Sequence, residues 1–106
     1  MMQDLIQKHD NDENGNPSGG KTGGIGIDIV WQAGPLGRGT ERRAANGAFV
    51  EGVIAAALGR LEYYQSTAFK CRENSLAITK LEEALHWLNH RTLNRESRKV
   101  EGTHAV

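Results

Sequence analysis

A single cysteine, Cys71, is all the chain contains, so no disulfide can form within it, which suits a reducing compartment. No apolar run approaches the roughly 18 residues of a membrane helix. The opening stretch MMQDLIQKHD lacks the charge and apolar core of a signal peptide. Net charge is missing as well: 13 basic residues face 13 acidic ones, and the formal sum is zero. That removes the long-range attraction that draws proteins to duplex DNA. Aromatics are few, only Trp31, Trp87, Tyr63, Tyr64, Phe49 and Phe69. These shortages predict a soluble cytosolic protein with no membrane partner and no DNA partner.

What is present divides into three stretches. Residues 1–23 form a polar, Gly-rich segment containing HDNDENGNPSGGKTGG, whose composition reads as a mobile turn or linker. Residues 24–45 hold a strand and a connecting loop. GIGIDIVWQ (24–32) alternates Ile25, Ile27, Ile29 and Trp31 on one face, the period of a strand. LGRGTERRAA (36–45) is a polar connection bearing Arg38, Arg42 and Arg43. Residues 46–106 read as a helical hairpin with a C-terminal tail.

Asn46 is the expected N-cap of a first helix running to about Ser66. Val50, Val53, Ile54, Ala57, Leu58, Leu61 and Tyr64 share its broad apolar face, and Ala55, Ala56, Ala57 and Gly59 shorten its middle. A short loop near 66–71 then folds the chain back. Residues 71–104 read as one long second helix with two characters. Its first half carries an apolar seam at Ile78, Leu81, Leu85 and Leu88. Its second half sets Arg91, Arg95 and Arg98 at the same three-and-four spacing. The fold class is therefore α+β, mainly α. With roughly 60–70 residues available for a core, such a chain buries only about 60% of its unfolded surface, which makes self-association the expected stabiliser.

Two motifs are weaker than they look. GNPSGGKT (15–22) matches the phosphate-loop pattern, but no strand precedes it and no helix follows, so a Gly-rich turn is the favoured reading. His86 and His90, near Glu82 and Glu83, give at best an incomplete zinc set, so no metal or other cofactor is expected. Cys71 has no paired base and reads as a small packing residue in a loop. The arginine set carries more chemistry, because a guanidinium binds phosphate through a planar two-pronged array. Taken alone, it equally fits a solvated helix end that complements the helix dipole. Tyr64, near the hairpin tip, is either a base-stacking ring or a cover for the groove between the helices.

The run ENSLAITKLEEALHWLNHRT, then VEGTH, with NGAFVEGVIAAALGRLEYYQ and FKCREN, resembles the phage helical-hairpin sponges that counter the CBASS and Thoeris bacterial defences. The resemblance covers residues 24–106 and is nearest the anti-Thoeris branch, in which a small β region precedes the hairpin. It implies a non-enzymatic protein in the cytoplasm of the infected host. Such a protein would sequester cyclic nucleotide signals, such as cyclic ADP-ribose isomers or cyclic oligonucleotides, as a homo-oligomer (a dimer or a trimer of dimers). The family pocket lies between subunits and maps onto Asn74, Arg91 and Arg95, with Tyr64 as the stacking ring. Arg98 extends the ladder, and Arg38 on the polar connection could close over the ligand. The alternative from a different class is a helical-hairpin protein-interaction module.

Overall fold

The computed structural model describes residues 4–106, so the reading of residues 1–3 as linker lies outside the described residues. The architecture is α+β: a three-stranded antiparallel sheet followed by two helices. The chain forms two units, one reaching to Phe49 and completed by Lys99–Val106, the other spanning Val50–Arg98.

The first unit is built on β1 (Ile6–Asn11), β2 (Pro17–Gly24) and β3 (Ile27–Trp31), in that order across the sheet. This corrects the reading of the Gly-rich segment as mobile: it supplies two of the three strands. Composition argued for disorder because it counts apolar side chains, whereas here backbone pairing and two tight turns order the chain. Asp12 makes the first turn, its Oδ1 accepting from the backbone N–H groups of Asn14 (2.8 Å) and Asn16 (2.9 Å). Those bonds, with that from Asn16 as the larger cause, hold the Asp12 carboxyl below its ordinary pKa.

The second turn corrects the proposed strand 24–32. Gly24 ends β2 opposite Ile27, Gly26 takes a positive φ of 75°, and Ile25 sits at the turn with 92% of its surface exposed. Ile27, Ile29 and Trp31 do alternate inward against exposed Asp28 and Val30. Trp31 donates its indole N–H to Thr22 Oγ1 at 2.8 Å, and Thr22, which pairs with Ile29 on the neighbouring strand, is 4% exposed. Gly20 lies beneath the same face with φ 138°, and a Cβ there would run into the Lys8 carbonyl oxygen. Only glycine fits that crossing of strands.

Residues 46–48 lie along the outer edge of β3 rather than starting a helix. Ala48 exchanges backbone bonds with Val30 and Gln32, and Asn46 Oδ1 accepts from Ala33 N at 2.8 Å while its own N–H donates to Gln32 Oε1. The Asn46 side chain is thus committed to the sheet, and the N-cap assignment fails. The tail closes this unit: Gly37 N donates to Gly102 O, and Arg42 Nη1 pairs with Glu101 Oε2 at 2.6 Å.

The second unit is the hairpin of α1 (Val50–Gln65) and α2 (Arg72–Ser97). A side-chain clamp fixes its connection, with Cys71 N donating to Gln65 Oε1 (2.9 Å) and Gln65 Nε2 donating to Cys71 O (3.1 Å). Ser66 and Thr67 hydroxyls donate to the Tyr63 and Tyr64 carbonyls, satisfying acceptors left over at the end of α1. Cys71 is exposed and caps α2, its Sγ accepting from Asn74 N at 3.4 Å, so it is not the packing residue expected. α2 ends at Ser97 because Lys99 adopts a left-handed φ of 59°, after which residues 100–103 turn. The single helix proposed over 71–104 is correspondingly shorter.

Val53, Ile54, Leu58 and Leu61 of α1 are half-buried, as are Ile78, Leu81, Leu85 and Leu88 of α2, in keeping with the apolar seam. Val50, Ala57 and Tyr64, placed on the same face from sequence, are exposed. No side chain of either helix is fully buried. Two helices enclose only the strip between them, and water reaches every seam residue.

Candidate functional site

The arginine set occupies the C-terminal turns of α2, where three-and-four spacing places successive side chains on neighbouring turns of one edge. Arg91 is exposed, and its guanidinium has no hydrogen bond or ion pair among the described residues. Arg95 is half-buried and already engaged. Arg98 donates from Nε to Asn94 Oδ1 at 3.1 Å, which lays its side chain along the helix. Unpartnered positive charge in water is inexpensive, and a phosphate meeting it gains charge-assisted, two-pronged hydrogen bonds. The last turn of a helix carries partial negative charge, which also favours these cations where they stand.

The other expected contributors lie elsewhere. Asn74 is in the first turn of α2, where its backbone N–H is spent on the cap. It stands 17 positions before Arg91, about 25 Å along a helix at 1.5 Å per residue. Tyr64 is in the last turn of α1, 37% exposed, beside Tyr63 at a ring-centroid distance of 5.8 Å. The Arg60 guanidinium sits over both rings, 4.8 Å from Tyr64 and 5.0 Å from Tyr63. That cation–π contact covers one face of the ring proposed for stacking. Arg38 belongs to the sheet unit, where its Nη1 donates to the Glu101 carbonyl at 2.9 Å and lies 3.8 Å from the Glu101 carboxylate. The structure thus brings Arg91, Arg95 and Arg98 together and leaves Asn74 and Tyr64 at the hairpin tip.

Two residues escaped the sequence reading. Arg60 stands three and four positions before Tyr63 and Tyr64, a spacing that was the available signal for its contact with both rings. Trp87, on the second helix, is 66% exposed. Its position, four before Arg91, is the pattern that marks it. His86 and His90 stand nearly perpendicular to its ring, at centroid distances of 5.6 and 5.9 Å. Among the described residues, no group of three His, Cys, Asp or Glu side chains is placed to hold a metal ion. GNPSGGKT runs from a turn into β2, with Lys21 paired between Lys8 and Val30, so it is not a strand-to-helix phosphate loop. No helix among the described residues is long and apolar enough to cross a membrane.

A small antiparallel sheet leading into a two-helix hairpin, with three arginines at the end of the second helix, defines a helical-hairpin protein with an arginine-bearing edge. More particularly, residues 23–93 match the family described as Acb2/Tad1, hairpin domain, and the chain belongs to that family. The match takes in Arg38, Tyr64, Asn74 and Arg91, and stops short of Arg95 and Arg98. The chain is also 57% identical over 76 residues to Thoeris anti-defense 1 of Bacillus phage SBSphiJ7, an overlap of 72% of this chain and 51% of the relative. It therefore spans about half the length of that relative.

Proposed function

We propose that this protein is a phage anti-defence sponge, acting in the cytoplasm of the infected host. It captures cyclic nucleotide immune signals, either cyclic ADP-ribose isomers or cyclic oligonucleotides, and holds them without degrading them. The observation that carries the reading is the exposed, unpartnered guanidinium of Arg91 at the head of a three-arginine edge. The similarity to a protein named for anti-defence against Thoeris supports the biological setting. Arg91, Arg95 and Arg98 are assigned to the phosphates, and Asn74 to polar atoms of the ligand.

The 25 Å between Asn74 and Arg91 requires a second subunit, because one compact nucleotide cannot span it. An antiparallel partner supplies Asn74 beside the first subunit's Arg91. The same partner would cover the half-exposed seam, since the hairpin has no fully buried side chain of its own. Slow release follows from enclosing the ligand between subunits and drying its phosphate–arginine pairs. Zero net charge is consistent with a small anion as ligand rather than a long polyanion. Arg38, held by Glu101, is left outside the proposed ligand set.

The test is calorimetric titration with cyclic di- and trinucleotides and cyclic ADP-ribose isomers, then chromatography of the ligand released on denaturation. Submicromolar binding with ligand recovered intact is expected. Arg91→Ala should weaken it about 10- to 100-fold, the loss of one charge-assisted pair, at unchanged helix content. Hydrolysed ligand would sink the sponge reading. Silence across the panel would leave a protein-interaction module, which the exposed Trp87, Leu76 and Leu93 would then serve.

A further inference from the structure

Three features together set Trp87 apart from Tyr64. It is exposed over 66% of its surface, whereas Tyr64 is 37% exposed and lies under the Arg60 guanidinium. It precedes Arg91 by four positions, so the two side chains occupy adjacent turns of one face, and Asn94 and Arg98 continue that stripe. Its ring is flanked by His86 and His90 at interplanar angles of 75° and 84°, which limits its swing without a parallel ring stacked on it. A large apolar ring held in water is costly unless something covers it. An indole beside a free guanidinium is matched by a ligand that carries both a flat heterocycle and a phosphate. One helical turn, about 5.4 Å, is comparable to the span between a base and the phosphate of its own nucleotide.

We infer that Trp87 stacks on a nucleobase of the ligand whose phosphates meet Arg91, making it a binding and specificity residue on the same edge. The inference rests on the sponge reading. Stacking on an indole is tolerant of base identity because every base has a π face. The ring therefore selects base-bearing ligands over bare polyphosphates without choosing among purines.

The two tryptophans make the test direct. Trp31 sits in the sheet with its indole N–H bonded to Thr22, so Trp87 is the fluorophore expected to respond. Cyclic ADP-ribose, cyclic di-AMP and base-free pyrophosphate are titrated into wild type, Trp87→Phe, Trp87→Ala and Arg91→Ala, read by calorimetry and by intrinsic fluorescence. Elution volume is recorded for each variant. Expected are quenching of the wild-type indole by a base-bearing ligand, no quenching in Trp87→Phe, and affinity for that ligand within about threefold in Trp87→Phe. Trp87→Ala should weaken it roughly 10- to 100-fold and leave pyrophosphate binding unchanged. Nucleotide binding that depends on Arg91 but ignores Trp87→Ala, with no quenching, overturns the stacking role and leaves the sponge reading standing. A smaller assembly in Trp87→Ala, with affinity restored at higher protein concentration, makes Trp87 a subunit contact and overturns it too. Failure of both cyclic nucleotides to bind wild type overturns both proposals for these ligands.

Discussion

Thr22 in the sheet retains 4% of its surface, while Leu85 in the middle of the hairpin seam stays half-open to water. The sheet unit is glycine-rich and poor in apolar side chains, yet it holds the most enclosed polar group among the described residues. Its order comes from backbone ladders, an Asp12 turn, a Thr22–Trp31 bond and a tail pinned by Arg42 and Glu101. The hairpin has the regular apolar spacing that usually marks a core, but no side chain of either helix is fully buried. Hydrogen bonding can complete a small sheet from within; an apolar stripe needs a partner.

The sharpest way to break this comparison is to make one substitution in both units. Gly20→Ala places a methyl against the Lys8 carbonyl at φ 138°, and should destabilise the sheet unit by about 3 kcal/mol or more. Hydrogen exchange should show strand amides deprotected while those of α2 stay protected. Gly59→Ala, on α1 with open space where its Cβ would go, should have the opposite sign and raise stability by about 1 kcal/mol. Denaturant midpoints of the two variants moving the same way would contradict the contrast.

Leu85→Ala tests the open seam. A fully buried leucine loses about 2–5 kcal/mol on truncation to alanine, so a half-buried one in a lone hairpin should lose about 1–2 kcal/mol. A loss in the upper range, with a Tm that rises with protein concentration, would show that a second subunit covers the seam. Equilibrium unfolding at two concentrations separates the cases.

Acid should act more gently, and on the sheet side. The Asp12 carboxyl is held below its ordinary value of 3.8, chiefly by the Asn16 backbone N–H. A lowered folded-state pKa contributes stability that is present above the unfolded value and lost as pH falls through the folded one. The sheet unit should therefore weaken below about pH 4, and Asp12→Asn should remove that part of the acid response. Nuclear magnetic resonance titration of the Asn16 amide reads it directly.

The second helix and its seam were legible because a period of 3.6 survives in any environment, and the Ile27–Trp31 alternation was legible for the same reason. Helix ends were less so. Asn46 looks like a cap by residue type but is taken by the β3 edge, and Cys71, a weak acceptor by type, performs the capping. The strands β1 and β2 were missed because their pairing is backbone chemistry with little side-chain pattern. The ligand candidates divide likewise: the arginine spacing is written along the chain, while the openness of Trp87 and the cover over Tyr64 are not.

By itself, then, the sequence determined the local periodicities and the spacing that sets three arginines along one edge of the second helix. Tertiary structure alone decided that glycines become strands, that Arg38 is spent on Glu101, and that Trp87 stands in water beside Arg91. Spacing along a chain fixes which side chains share a face. Which of them meet a partner depends on segments distant in sequence arriving at the same place, and a local pattern carries no record of that.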